Sequence, residues 1–135
     1  MNRQLRSRVR QRARRCCEYC LLHEDDLPLY PFHIEHIIAE KHGGETDYDN
    51  LSWSCLYCNL SKSSNIGGID PNTRQITALF HPRRQLWKRH FELNGPVIVG
   101  RTASGRVTIY VLNMNAPHRI ELRKLLLEQG LYPRC

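Results

Sequence analysis

No stretch of eighteen or more consecutive apolar residues occurs in the 135-residue chain, so no hydrophobic membrane-spanning helix is expected. The N-terminal run MNRQLRSRVRQRARR is positively charged, but no apolar segment follows it as one follows the charged start of a secretory signal. The expectation is a soluble, intracellular protein without a membrane partner. Internal repeats and low-complexity linkers are missing as well. A single domain over residues 1–135 follows, with 41% hydrophobic residues to build one modest core.

Acid is also in short supply. Thirteen Asp and Glu stand against twenty Lys and Arg, a formal net charge of +7, and residues 3–15 hold seven arginines and no acid. Such a surface favours a polyanionic partner, with nucleic acid first and an anionic membrane surface second. Leu5, Val9 and Ala13, spaced by four, place one apolar stripe on that arginine-rich segment, which reads as a basic amphipathic helix.

Six cysteines are present, and four form two Cys-x2-Cys knuckles, Cys17/Cys20 and Cys55/Cys58, separated by thirty-four residues. Two thiolates two residues apart can converge on one ion from a tight turn. Two such turns complete a tetrahedral set at about 2.3 Å per Zn–S bond. Four thiolates leave no open position, so Zn²⁺ here is expected to be structural, tying the N-terminal segment to the region of residue 55 and coupling folding to metal. The competing reading is a disulfide framework, but nothing marks secretion and the paired spacing suits a metal. Cys16 and Cys135 are left over; Cys16 could replace Cys17, although the two-residue gap favours Cys17.

Along the chain, residues 21–32 carry two prolines and three successive acids and read as an irregular loop. Residues 32–39, FHIEHIIA, read as a strand, the Gly-Gly-containing segment after them as a loop, and residues 51–54 as a short returning strand. From Cys55, CLYCNLSKSS runs without a breaker until Gly67-Gly68, predicting a helix of two to three turns. Residues 65–85 read as a wrapping loop with an extended piece near 76–80. Residues 85–94 carry Leu86, Trp87, His90 and Phe91 at helical spacing, with Phe91 in the core. Residues 96–101 and 106–112 alternate as two strands about Ala103-Ser104-Gly105, a hairpin signal. A last helix opens with Pro117 and stops at Gly130.

The stretch FHIEHIIAEKHGGETDYDNLSWSCLYCNLSK places a Glu-His pair, an Asn and a Cys-Asn pair in order, His36 to Asn50 spanning fourteen residues and Asn50 to Asn59 nine. Over roughly residues 15–65 it resembles the HNH (His-Asn-His) endonuclease family. That pattern is an acid or His, then His, then Asn before an apolar residue, then Cys-x2-Cys followed by His or Asn, met here by Glu35, His36, Asn50 and Asn59. The resemblance implies an α+β fold with a ββα-metal core, elaborated here by the N-terminal basic helix and, over about 80–135, a C-terminal β-hairpin plus helix. It further implies hydrolysis of DNA phosphodiester bonds, one strand per site, by a monomer or homodimer. His36 would be the general base that deprotonates water. Glu35 and Asn59 would ligate one catalytic Mg²⁺ or Mn²⁺ ion, and Asn50 would hold the long loop that orients His36. Glu35 stands where Asp is more usual, Asn59 where the family name has His, and Ser63 where some members carry a further His ligand.

Two features of the residues themselves bear on this site. Cys55 and Cys58, three apart, share a helix face while Asn59 lies about 100° further round, so a metal on one side aims Asn59 to the other. Glu35 and His36 would point to opposite faces of a regular strand, which predicts a bulge or a strand end there. His33 shares the face of Glu35 and is a candidate extra ligand. Lys41, Lys62, Arg83 and Arg84 are candidate phosphate contacts. The alternative to an enzyme is a non-catalytic, zinc-ribbon-like nucleic-acid-binding module.

Overall fold

The computed structural model describes residues 1–135. Asn2 caps helix α1 (Arg3–Arg12), its side chain accepting from the backbone N–H of Leu5. The apolar stripe buries Val9 and Ala13 against the strand β2 (Leu51–Ser54), which pairs antiparallel with β1 (His33–His36). Helix α2 (Leu56–Lys62) follows β2 directly and packs on β1, completing a ββα unit. The loop between α1 and β1 carries a short 3-10 turn at Glu24–Asp26, and the longer loop inside the hairpin carries two more, at Glu40–His42 and Tyr48–Asn50.

Glu24 anchors the first loop. Arg10 clamps it with two bonds of 2.7 and 2.8 Å, Arg15 adds one of 3.2 Å, and the indole N–H of Trp53 donates to it at 2.9 Å. Burial pushes this carboxyl upward, but the bonds to Arg10 and Arg15 outweigh it and hold its pKa below the usual carboxylate range. A depressed folded value means that the stabilisation is complete above the unfolded value of about 4.3 and is lost as pH falls through the folded value. The difference in unfolding free energy between the wild type and Glu24→Gln is therefore expected to be largest near neutrality and to shrink in acid. Urea denaturation at several pH values measures it.

Beyond α2 the chain forms a small hairpin, β3 (Gly67–Ile69) with β4 (Ile76–Ala78), where the sequence predicts one extended piece. The next segment departs further from expectation. Residues 85–94 are helical for a single turn, α3 (Trp87–His90), and then extend as β5 (Phe91–Asn94), paired with β6 (Val97–Gly100). The register joins Asn94 to Val97 across Gly95-Pro96, with Gly95 at φ +57°, a conformation that glycine adopts freely. The C-terminal hairpin thus lies one element earlier than its alternating pattern suggests. Residues 103–111 form helix α4 (Ala103–Val111), not a second strand. Thr102 caps it by accepting from Gly105 N–H at 3.1 Å, and the buried face of Gly105, Val107 and Thr108 packs on β6 and β3. Tertiary burial overrides the strand preference of its β-branched residues.

Phe91 is fully buried, as its spacing predicts, stacked edge-on to Phe80 at 5.2 Å. Helix α5 (Pro117–Glu128) starts on Pro117 and ends before Gly130. It binds back to the rest through two buried arginines: Arg123 donates to Pro96 C=O at 2.6 Å, and Arg119 to Leu112 C=O at 2.7 Å. The two leftover cysteines meet, Cys16 and Cys135 forming a disulfide that returns the C-terminus to the first knuckle. No helix is long and apolar enough to cross a membrane.

Candidate active site and metal centre

Cys17, Cys20, Cys55 and Cys58 converge with their sulfur atoms all within 4.8 Å of one another, every one buried. The first knuckle closes through a bond from Leu21 N–H to Cys17 C=O at 3.0 Å and from Cys17 N–H to Leu22 C=O at 2.8 Å. The second opens α2, with Cys55 as the N-cap accepting from Cys58 N–H at 3.4 Å. The four side chains are positioned to hold a metal ion. Arg119 reaches them from α5, its guanidinium donating to Cys58 Sγ at 3.0 Å. Burial acts to lower the pKa of Arg119, yet the negative sulfurs of Cys58, Cys20 and Cys55 raise it overall. Tyr132 braces the same knot with a bond to Cys20 C=O at 2.7 Å, and Trp87 with one to Tyr19 C=O at 2.8 Å.

On the hairpin, the pairing of Glu35 with Ser52 and His36 with Leu51 is regular, so there is no bulge. His36 is the last residue of β1, which is the strand end the sequence required. Glu35 turns inward. Its carboxylate accepts from Tyr19 Oη at 2.6 Å and Ser52 Oγ at 2.7 Å, and its second oxygen pairs with Lys62 Nζ at 2.5 Å. His36 turns outward, Nε2 lying 2.8 Å from Thr46 Oγ1 and 3.3 Å from Glu40 Oε1, while Nδ1 has no protein partner. A cleft of about 240 Å³ is lined by Glu35, His36, Glu40, Asn59 and Ser63 among others.

Asn50 ties both sides of the loop together. Its Oδ1 accepts from Ile38 N–H at 2.9 Å, and its Nδ2 donates to Ile38 C=O at 2.9 Å and Glu45 C=O at 2.8 Å. A side chain at Gly44 would put Cβ 1.7 Å from Ile38 O and 2.9 Å from Asn50 Nδ2, so the crossing leaves space only for glycine. Two cysteine knuckles, a strand-end His, a loop-binding Asn and a helical Asn thus occupy one ββα unit. Residues 17–65 match the family model of the HNH endonuclease. No curated protein matches the chain. The matched segment begins at the first knuckle and ends just past α2, so it contains every residue of the cleft and of the knot, while β3 onward lies outside it. That match supports a nuclease family for this segment.

Two expected phosphate contacts are corrected within and beside the matched segment. Lys62 is only 1% exposed and spends its ammonium on Glu35 and on the carbonyls of His36 at 3.1 Å and Ile37 at 3.0 Å. Arg83 is ion-paired with Glu18, whose other oxygen accepts from Trp53 N–H at 2.8 Å. The Lys62 charge is spent in the interior, and that of half-buried Arg83 on Glu18. Lys41 and Arg84 are exposed. His33 is half-buried on the face of Glu35, opposite Ser54, with no polar partner. Tyr19, Ser52, Thr46, Glu40 and Arg12 are site residues that sequence reasoning missed. Arg12 stacks on Tyr48 at 3.9 Å and donates to Tyr48 C=O at 2.7 Å and Leu51 C=O at 2.5 Å, bracing the turn that carries Asn50. Position along the chain offered no signal for these, because their partners come from other elements.

The buried Glu35–Lys62 pair carries a sharp expectation. Lys62→Met leaves Glu35 buried without its cation and strips the donor from two carbonyls. It should cost about 3–5 kcal/mol, the range for breaking one side of a buried ion pair. The double variant Lys62→Met/Glu35→Gln should recover part of that loss, read as the urea midpoint of each protein.

Proposed function

We propose that the chain is a metal-dependent HNH endonuclease that hydrolyses DNA phosphodiester bonds, one strand per active site. One observation carries this reading: His36 stands at the strand end with a free Nδ1, on a cleft it shares with Glu35 and Asn59. His36 would take the proton of the attacking water, and Asn50 would keep the loop, and therefore the imidazole, in place. The four buried thiolates suit a structural Zn²⁺, since soft sulfur ligands in a closed tetrahedral set leave no site for substrate.

Glu35 and Asn59 would hold the catalytic divalent ion. Glu35 and Asn59 both line the cleft, and a carboxylate with an amide oxygen is the kind of hard oxygen set that Mg²⁺ or Mn²⁺ takes, with water in the remaining positions; to reach the ion the Glu35 carboxylate would have to turn from its buried partners Tyr19, Ser52 and Lys62. The ion, when bound, supplies Lewis-acid stabilisation of charge on the phosphate. Glu35 already has Lys62 as counter-ion, so it brings little uncompensated negative charge to the ion.

Arg3, Arg6, Arg8 and Arg14 of the N-terminal segment, together with Lys41 and Arg84, are exposed and would meet the DNA backbone. Contacts of this kind give affinity that falls steeply with salt and carries little sequence preference. The test is incubation of supercoiled plasmid with the purified protein, with and without added Mg²⁺ or Mn²⁺. Divalent-dependent conversion to the nicked form is expected. Salt-sensitive binding with no cutting under either condition would support the binding-module reading instead.

A further inference from the structure

Three atoms beside the cleft decide which nitrogen of His36 carries the proton. His36 Nε2 lies 2.8 Å from Thr46 Oγ1 and 3.3 Å from Glu40 Oε1, and Thr46 Oγ1 donates to that same Glu40 oxygen at 3.3 Å. An ionised carboxylate only accepts hydrogen bonds. A hydroxyl has one proton, and the arrangement that satisfies all three groups has Thr46 donating it to Glu40, so that toward His36 its oxygen presents a lone pair. Both neighbours of Nε2 are therefore acceptors, and a lone pair on Nε2 would face two others. The proton belongs on Nε2, which leaves the lone pair on Nδ1, the ring nitrogen without a protein partner.

We infer that Thr46 and Glu40 are positioning residues that fix His36 as the Nε2–H tautomer and so present Nδ1 as the base. This rests on the nuclease reading for its consequence, but not for its geometry. When Nδ1 takes the water proton, the ring becomes imidazolium with protons on both nitrogens. The Nε2–H then points at Thr46 and, directly and through it, at the Glu40 carboxylate, which favours the positive charge that has just formed. No proton leaves Nε2 in this step; one O–H bond of water breaks and one N–H bond forms at Nδ1. Glu40 comes from the 3-10 turn just after β1 and Thr46 from the far side of the Gly43-Gly44 crossing. The loop that Asn50 holds closed is thus also what brings both acceptors to the ring.

The test reads the tautomer directly. Ring ¹⁵N shifts are measured on the full chain at mildly alkaline pH, with the His36 signals assigned by their loss in His36→Gln. The wild type is expected to show a protonated Nε2 and an unprotonated Nδ1. Thr46→Val combined with Glu40→Gln should shift His36 toward a mixture of tautomers. In the plasmid assay Thr46→Val should lower kcat by about 10- to 100-fold, within the range that a positioned base contributes, with KM little changed. Thr46→Ser, which keeps the hydroxyl, should restore most of it. A wild-type ring protonated on Nδ1, or a tautomer untouched in the double variant, overturns the inference whatever the activity. The expected tautomer in a protein that never nicks DNA overturns the nuclease reading and leaves the assignment of the proton standing.

Discussion

Cys58→Ser is expected to leave the chain largely unfolded, and a strong chelator is expected to do the same to the wild type. Cys58 has two attachments: it is one of four sulfurs gathered within 4.8 Å, and it accepts the Arg119 guanidinium at 3.0 Å. In small metal-linked domains the metal contributes on the order of 10 kcal/mol of apparent folding free energy, comparable to the entire stability of a domain this size. Without the ion, four thiols and one guanidinium would share a buried space, with the arginine charge uncompensated. The damage should reach past the knuckles. Arg119 and Tyr132 link the C-terminal segment to Cys58 and Cys20, so α5 should lose its anchorage together with the ββα unit. Far-UV circular dichroism and thermal melts with and without chelator measure the loss, and metal analysis should return one Zn²⁺ per folded chain. A chelated protein that melts at the temperature of the untreated one would show that the sulfurs hold no structural metal.

His36→Ala is expected to do the reverse, abolishing function while sparing the fold. A positioned general base contributes about 10²- to 10⁴-fold, and divalent-dependent nicking should fall by that much. The imidazole is partly exposed at a strand end, and its side-chain partners, Thr46 and Glu40, are exposed groups that water can satisfy. The backbone of residue 36 remains held by the pairing with Leu51 and by the bond from Lys62 to its carbonyl, neither of which uses the ring. Thermal stability should therefore change little, and DNA affinity in low salt should persist because the exposed arginines are untouched. Undiminished nicking by the variant would remove His36 from the chemistry. Loss of nicking and of stability together would mean that the ring has a structural role.

The knuckles and the ββα order of residues 17–65 were legible because they depend on local spacing. A Cys-x2-Cys pair can bind one ion only from a tight turn, and a strand, a turn-rich loop and a returning strand each leave a periodic or compositional trace. Helix α5 was legible for the same reason, through Pro117 and Gly130 at its ends. The region after residue 85 was not. There Trp87, His90 and Phe91 satisfied a helical spacing that one turn and a strand also satisfy. The turn at Gly95-Pro96 went unread, and the alternation of residues 106–112 suggested a strand, a pattern that a buried helix face tolerates when a capped helix packs across a hairpin.

Charged residues in the site divide along the same line. Lys62, Arg83 and Lys41 look alike in a sequence, as basic groups near a phosphate-cleaving motif. Whether each is spent depends on what approaches it from elsewhere: Glu35 from β1 for Lys62, and Glu18 from the first knuckle for Arg83. By itself the sequence determined which cysteines could bind a metal and that a polyanionic partner is favoured, because residue type and short spacing decide those properties; His36 as a base was an expectation from the family resemblance. Only the tertiary structure decided that Glu35 is held by Tyr19, Ser52 and Lys62, that two of the expected phosphate contacts are taken up in ion pairs, and that His36 faces Thr46 and Glu40. Each of those is a contact between residues ten or more apart, save that of His36 with Glu40 four residues on, which the 3-10 turn after β1 brings about. Its existence follows from how the backbone closes, which no local pattern encodes.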